Sequence, residues 1–152
     1  MIIHQIVETV RETQKKPEKL VLLVGKPGSG KSKLLRELAT VRGWEYVNCR
    51  TFLTDELLEM VPKMRAQEAP HLIDKKMKQL RAEVIVLDDM QVLFAPVLQV
   101  DPLGLLRHLA KSYVIVAAWP GEYKDEKLIA APVGQQASRE YNATGLTIIQ
   151  IE

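Results

Sequence analysis

The chain contains a single cysteine, Cys49, so no intrachain disulfide can form, which fits a reducing cytoplasm. No apolar run approaches the ~20 residues that a bilayer-spanning helix needs, so no membrane location is expected. The start, Met1-Ile2-Ile3-His4-Gln5-Ile6, lacks the basic region and small-residue cleavage site of a secretory signal. The three histidines, His4, His71 and His108, show no metal-ligand spacing, which argues against a zinc site. A formal net charge of +2 is too small to imply a nucleic-acid binder by itself. There is no repeat and no low-complexity segment. What remains is ordinary for a globular protein: 152 residues, 47% apolar and 26% charged. That length predicts one domain over residues 1–152 with a sizeable core.

The stretch around which the chain is organised is Gly25-Lys26-Pro27-Gly28-Ser29-Gly30-Lys31-Ser32. It matches G-x-x-x-x-G-K-[ST], the phosphate-binding P-loop (Walker A). Leu20–Val24 runs into it as a buried strand, and residues 33–40 follow with helical spacing. The glycines let successive backbone N–H groups curl inward onto phosphate oxygens, and the helix N-terminus adds its positive end. Gly25, Pro27, Gly28, Ser29, Gly30, Lys31, Ser32 and Lys33 are the expected nucleotide contacts. Lys31 is expected at the β- and γ-phosphates, and the Ser32 hydroxyl on Mg²⁺.

A second informative stretch is Glu83-Val84-Ile85-Val86-Leu87-Asp88-Asp89. A continuous apolar run suits a parallel strand covered on both faces, and the carboxylates at its C-terminal end give it Walker B form. Asp88 is expected to hold Mg²⁺, through water. Asp89 stands where many P-loop ATPases place a glutamate that orients or deprotonates the attacking water. Aspartate is one methylene shorter, so slow hydrolysis, or hydrolysis that needs a partner, is expected.

Elsewhere, Ile2, Ile3, Ile6, Val7 and Val10 fall on one face at helical spacing, predicting a helix over 2–14 packed on the core rather than a membrane anchor. Trp44–Cys49 reads as a strand, with Thr51 or Thr54 capping the helix after it and Pro62 ending or bending that helix. Pro70 suits the start of another helix, buried through Leu72, Ile73, Met77 and Leu80. Its polar side carries Lys75, Lys76, Lys78 and Arg81. With no interleaved aromatics, that side reads as a solvated face before it reads as a nucleic-acid surface. Asp101-Pro102 opens a helix with Leu103, Leu105, Leu106 and Leu109 inward. Residues 113–119 form the next buried strand, 122–131 a small hairpin, 135–142 a short helix, and 145–151 the last strand of the sheet.

Five strands separated by crossovers predict an α/β fold, with helices on both faces of a parallel sheet. The strand between P-loop and Walker B strands points to the additional-strand class, with order 5-1-4-3-2. Nucleoside and shikimate-type kinases are the rival class, but no Arg-rich lid segment follows the second strand.

The short AAA-like core, the two Walker elements, Trp119-Pro120-Gly121-Glu122-Tyr123 and Ser138-Arg139-Glu140-Tyr141 together resemble the BrxF family. These are small P-loop proteins of type 3 bacteriophage-exclusion (BREX) systems, and the resemblance covers nearly the whole chain. Walker motifs are common to many ATPases; size and the C-terminal segment carry the likeness. The resemblance implies a cytoplasmic bacterial ATP-binding component of an antiviral system that acts with the system's other proteins. Two departures from AAA+ stand out. The chain stops where a helical lid would begin, and Trp119 occupies a position where a polar sensor is usual. In an AAA-like assembly the arginine finger comes from a neighbouring subunit. Arg107 is the first candidate and Arg139 the alternative, each against the reading of a plain surface arginine.

Three functions stay open on these residues: an ATPase activated by self-association or a partner, a nucleotide-gated assembly module with negligible turnover, and a small-molecule kinase. The first uses Lys31, Asp89 and Arg107 catalytically and Ser32 and Asp88 for metal. ATP with Mg²⁺ is the expected cofactor pair, and a homo-oligomer the expected ATP-bound state. Nucleic acid remains an open partner.

Overall fold

The computed structural model describes residues 2–25, 29–51, 62–90, 102–130, 139–142 and 145–151. Its centre is a five-stranded parallel sheet. Strands β1 (Leu20–Val24), β2 (Glu45–Asn48), β3 (Val84–Asp88) and β4 (Val114–Trp119) are joined by a last strand, β8 (Thr147–Gln150). The order across the sheet is β2-β3-β4-β1-β8, the predicted arrangement with β4 between the P-loop and Walker B strands. Val24 stands opposite Trp119, and Asn48 opposite Asp88, so the loops leaving these strands gather along one edge.

Strands β1, β3 and β4 are buried along their whole length, which explains their continuous rather than alternating apolar sequence. Helices α1 (Ile2–Thr13) and α2 (Lys31–Arg42) cover one face, through Ile6, Val10, Leu34, Leu35 and Leu38 against Val21, Leu23, Val86 and Val116. Ile2, expected on the packed face of α1, stays exposed. Helices α3 (Pro62–Leu80) and α4 (Pro102–Leu109) cover the other, through Ile73, Met77, Leu103, Leu106 and Leu109. Each such fully buried side chain stabilises the fold by roughly 1.5–3 kcal/mol relative to exposure.

Three local expectations are corrected. Pro62 begins a helix, the residues before it (52–61) lying outside the described residues, and Pro70 lies within that helix rather than at its start. Pro62 takes the first helical position, where a missing N–H costs nothing. Pro70 removes one intrahelical bond, but burial of Ile73 and Met77 outweighs that local loss. The helix after β2 begins already at Cys49, so Thr51 lies inside it; Thr54 is outside the described residues. The cap is Asn48, whose Oδ1 accepts the Thr51 N–H at 3.2 Å.

The third correction concerns the segment between β4 and β8. Residues 139–142 are not helical but form strand β7 (Arg139–Asn142); residues 135–138 lie outside the described residues. With β5 (Gly121–Lys124) and β6 (Lys127–Ala130) it makes a second, antiparallel sheet in the order β5-β6-β7. The β5–β6 hairpin was expected. It turns on Asp125 and Glu126, both at positive φ (52° and 61°), the backbone of a type I′ turn. This sheet packs Leu128 into the same core as α3 and α4.

Candidate nucleotide-binding site

The site lies where β1, β3 and β2 end. After Val24 the chain passes through Gly25 in a gap with no room for a side chain. A Cβ there would stand 2.7 Å from the Ile151 carbonyl oxygen and 2.7 Å from Ser29 Oγ. Gly30 precedes α2 at φ 93°, a left-handed conformation that favours glycine. No side chain caps α2, so the first N–H groups of its turn are left for a ligand. Pro27 and Gly28 lie outside the described residues.

Lys31 donates a hydrogen bond to the Gly25 carbonyl, holding its ammonium over the loop. Burial lowers the Lys31 pKa, and the Asp88 carboxylate partly opposes that shift. Ser32 Oγ donates to Asp88 Oδ1 at 2.9 Å, joining the P-loop helix to the Walker B strand. Lys33 is exposed, on the outer side of α2. Ser29 Oγ is buried and is the buried side-chain polar atom without a partner among the described residues.

Asp88 is 5% exposed and, with Thr13, is one of two buried polar residues among the described residues. Besides Ser32, it accepts the Tyr46 hydroxyl on Oδ2 at 2.6 Å and the Asp89 N–H on Oδ1 at 2.9 Å. Tyr46 has its pKa raised, first by burial and then by this bond, so the phenol keeps its proton and stays a donor. Asp89 sits at φ 54°, a left-handed conformation uncommon for a side-chain-bearing residue. The turn lets its carboxylate meet Asn48 Nδ2, which donates to Oδ2 at 2.9 Å. Asn48 thus makes two attachments, one through each end of its amide: Asp89 and the cap of the next helix.

The structure brings Gly25, Ser29, Gly30, Lys31, Ser32, Asp88 and Asp89 to one sheet edge. It adds Tyr46 and Asn48, which the sequence reading missed. Their signal is faint: polar groups at the end of a strand whose neighbour carries the two aspartates. Arg107 lies elsewhere. It is on α4, with Nε 3.2 Å from Glu18 Oε2 ahead of β1, at the edge where the strands begin. The Arg139 side chain is outside the described residues. Trp119 is fully buried and points its Nε1 to the Ile129 carbonyl at 3.3 Å. Its ring meets Tyr141 edge to face, centroids 5.3 Å apart. It therefore serves the small sheet rather than a polar sensing role. Cys49 is buried, its thiol pushed up to about 12 by burial and then by Asp88 and Asp89, so it is no nucleophile.

The donor set fits a hard divalent cation. A hydroxyl and a buried carboxylate lie within 2.9 Å, and Mg²⁺ is commonly held by one or two carboxylates with substrate phosphates and water. Beside the loop, a cavity of about 470 Å³ is lined by Gly25, Ser29, Glu122, Tyr123, Gln150 and Ile151 among others. Its size lies within the range of small-ligand sites.

Residues 4–99 match the protein-family model described as Zeta toxin. No curated protein sequence matches the chain. Among solved structures, C. elegans PCH-2 is similar over 98% of this chain and 41% of its own, at 12% identity and a TM-score of 0.46. AMPPCP-bound DnaA from Aquifex aeolicus is similar over 97% and 45%, at 18% identity and a TM-score of 0.41. A replication initiator DnaA bound to AMPPCP and single-stranded DNA is similar over 97% and 46%, at 18% identity and a TM-score of 0.46. The chain thus spans less than half the length of each. Among the described residues, no helix is long and apolar enough to cross a membrane.

Proposed function

The chain belongs to the Zeta toxin family and is a nucleotide-binding P-loop protein, and from that premise we propose that it is a Mg²⁺-dependent ATPase. The observation that carries the reading is the pairing at the end of β3. Asp88 is tied to the P-loop helix through Ser32, and Asp89 is held beside it by Asn48. The strand order supports it too, since β4 separates β1 from β3.

In this reading the α2 N-terminus and Lys31 receive the phosphates, with Lys31 leaving the Gly25 carbonyl to do so. Ser29 Oγ gains the partner it lacks in the free protein. Ser32 and Asp88 would hold Mg²⁺, which when bound would supply positive charge against the phosphates. Asp89 accepts the proton of the attacking water and Asn48 fixes its direction. The nucleoside lies in the cavity beside the loop, against Tyr123 and Gln150. Assembly into an oligomer adds a further positive charge at the γ-phosphate, from Arg107 or Arg139 of a neighbour. Sequence resemblance to BrxF supports a role in a bacterial phage-exclusion system, with the other proteins of that system as partners.

A second reading, a nucleotide-gated assembly switch with negligible turnover, draws on Trp119. Its burial in the small sheet leaves the end of β4 without a polar side chain for the nucleotide. The deciding experiment is Mg²⁺-dependent phosphate release from ATP over a wide range of protein concentrations, with Asp89→Ala as control. A specific rate that rises with concentration and vanishes in the variant supports the ATPase with a shared site. Saturable ATP binding with no release at any concentration sinks it and leaves the switch.

A further inference from the structure

At the opposite edge of the sheet from the P-loop lies a second cavity, of about 460 Å³. Its floor is apolar, with Val10, Leu80 and Val84. Three arginines, Arg11, Arg42 and Arg81, stand around it together with the half-buried Trp44. Two exposed carboxylates, Glu45 and Glu83, share the rim. Arg11 is engaged by Glu8 at 3.1 Å, whereas Arg42 and Arg81 carry no hydrogen bond or ion pair among the described residues.

Arg81 also lines a third, shallower cavity of about 730 Å³, with Lys75 and Lys78. Arg81 is thus a wall of both cavities, which lie on either side of it. Lys75, Lys78 and Arg81 follow at three-residue steps, so cations recur every ~4.5 Å along the axis of α3 and its end. Asp74, the acidic residue of this part, is taken by His108 at 2.9 Å.

Arg81 has φ 52°, directly after the last residue of α3. That slot, just past a helix end, is one where glycine is the favoured residue. An arginine in it is locally unfavourable and sets its guanidinium where both cavities open.

We propose that these two cavities bind single-stranded nucleic acid, with a base on Trp44 and the phosphates along Arg42, Arg81, Lys78 and Lys75. In sequence the basic face of α3 lacked an aromatic for base stacking. The fold supplies one in Trp44, the residue before β2, which lines the same cavity as Arg81. An aromatic platform within a cationic track is the arrangement that binds single strands without sequence preference. A duplex is too wide and stiff to lay one base on Trp44.

The test is anisotropy of fluorescent oligothymidine and oligouridine of ~12 nucleotides, against a duplex, with the full chain and no ATP. Arg81→Gly is the informative variant, because glycine suits the turn and the fold should survive. It should weaken single-strand binding about tenfold and lower the salt slope by ~0.7. Trp44→Leu should weaken it by a similar factor and abolish the ligand-induced change in tryptophan fluorescence. Lys127→Ala, which removes one exposed cation from the small sheet, should leave affinity within twofold. Tighter binding of either single strand than of duplex, lost in Arg81→Gly, supports the site; the ratio of the two strands tells DNA from RNA. No binding, duplex binding as tight as single-strand binding, or equal affinity of Arg81→Gly and Lys127→Ala overturns it.

Discussion

The hydroxyl of Ser32 meets the carboxylate of Asp88 at 2.9 Å, the first residue from the P-loop helix and the second from the end of β3. This contact joins the two motifs that are 56 residues apart in sequence. It also places both oxygens where one cation can take them together. Behind the pair stands Tyr46, whose hydroxyl fixes the other carboxylate oxygen at 2.6 Å.

Tyr46→Phe should therefore loosen the metal rather than the nucleotide. Groups that orient a ligand from behind typically change metal affinity 10–100-fold, so a roughly tenfold rise in the Mg²⁺ concentration at half-saturation is expected. Titrating Mg²⁺ into protein and ATP by calorimetry reads it directly. ATP affinity without Mg²⁺ should be unchanged. If the Mg²⁺ requirement does not move, Tyr46 only packs. Asp88→Asn should lose the Mg²⁺ dependence altogether.

Gly25 answers to space, not to backbone angle. A methyl group there would press on the Ile151 carbonyl and on Ser29 Oγ, both at 2.7 Å. Backbone on one side cannot yield cheaply. Gly25→Ala is expected to lower stability by about 1–3 kcal/mol, as overpacking does. It should also erase the rise in melting temperature that ATP brings. A variant that melts with wild-type stability and still responds to ATP would show that Ile151 and the loop move apart freely.

Much of this was legible because it is local. The P-loop, its strand and its helix lie within Leu20–Arg42; uniform apolar runs marked β1, β3 and β4 as buried parallel strands, and their order followed from the additional-strand class to which the two Walker elements pointed. Tyr46 and Asn48 were not, because their role depends on register: Asn48 stands opposite Asp88 only once β2 has paired with β3. The Pro62–Leu80 helix was misread because local propensity penalises Pro70 while tertiary burial of Met77 decides. Strand β7 was missed because Arg-Glu-Tyr-Asn has little β pattern of its own; its pairing with β6 and the Tyr141–Trp119 contact hold it in place. The expected assignments to Pro27, Gly28 and Thr54 fall outside the described residues.

Nucleotide affinity should fall at a lower pH than an ordinary lysine would allow. Burial lowers the Lys31 pKa, and phosphate binding needs the charged form. The sign follows: below the Lys31 pKa affinity is flat, and above it affinity drops towards tenfold per pH unit as binding must take up a proton. Asp88 raises this pKa, so Asp88→Asn moves the onset to lower pH still. Fluorescent ATP-analogue titrations in EDTA from neutral to alkaline pH measure both curves. Curves that coincide, or a decline only at the ordinary lysine value, would refute the assignment of Lys31.

Asn48 couples the proposed base to the fold, and two substitutions separate its tasks. Its Oδ1 caps the helix that starts at Cys49, and its Nδ2 donates to Asp89. Asn48→Ala loses both, at a cost of about 1 kcal/mol for the cap and with a drop in phosphate release. Asn48→Asp keeps the cap but sets a carboxylate against Asp89. Like charge favours the protonated form, so the pH at which release reaches half its plateau should shift upward in this variant. Stability near neutral pH should fall less than in Asn48→Ala, because the cap survives. A pH–rate profile alongside thermal melts distinguishes the cases. If Asn48→Asp changes melting but leaves the profile in place, Asp89 does not carry the proton and Asn48 is only a cap.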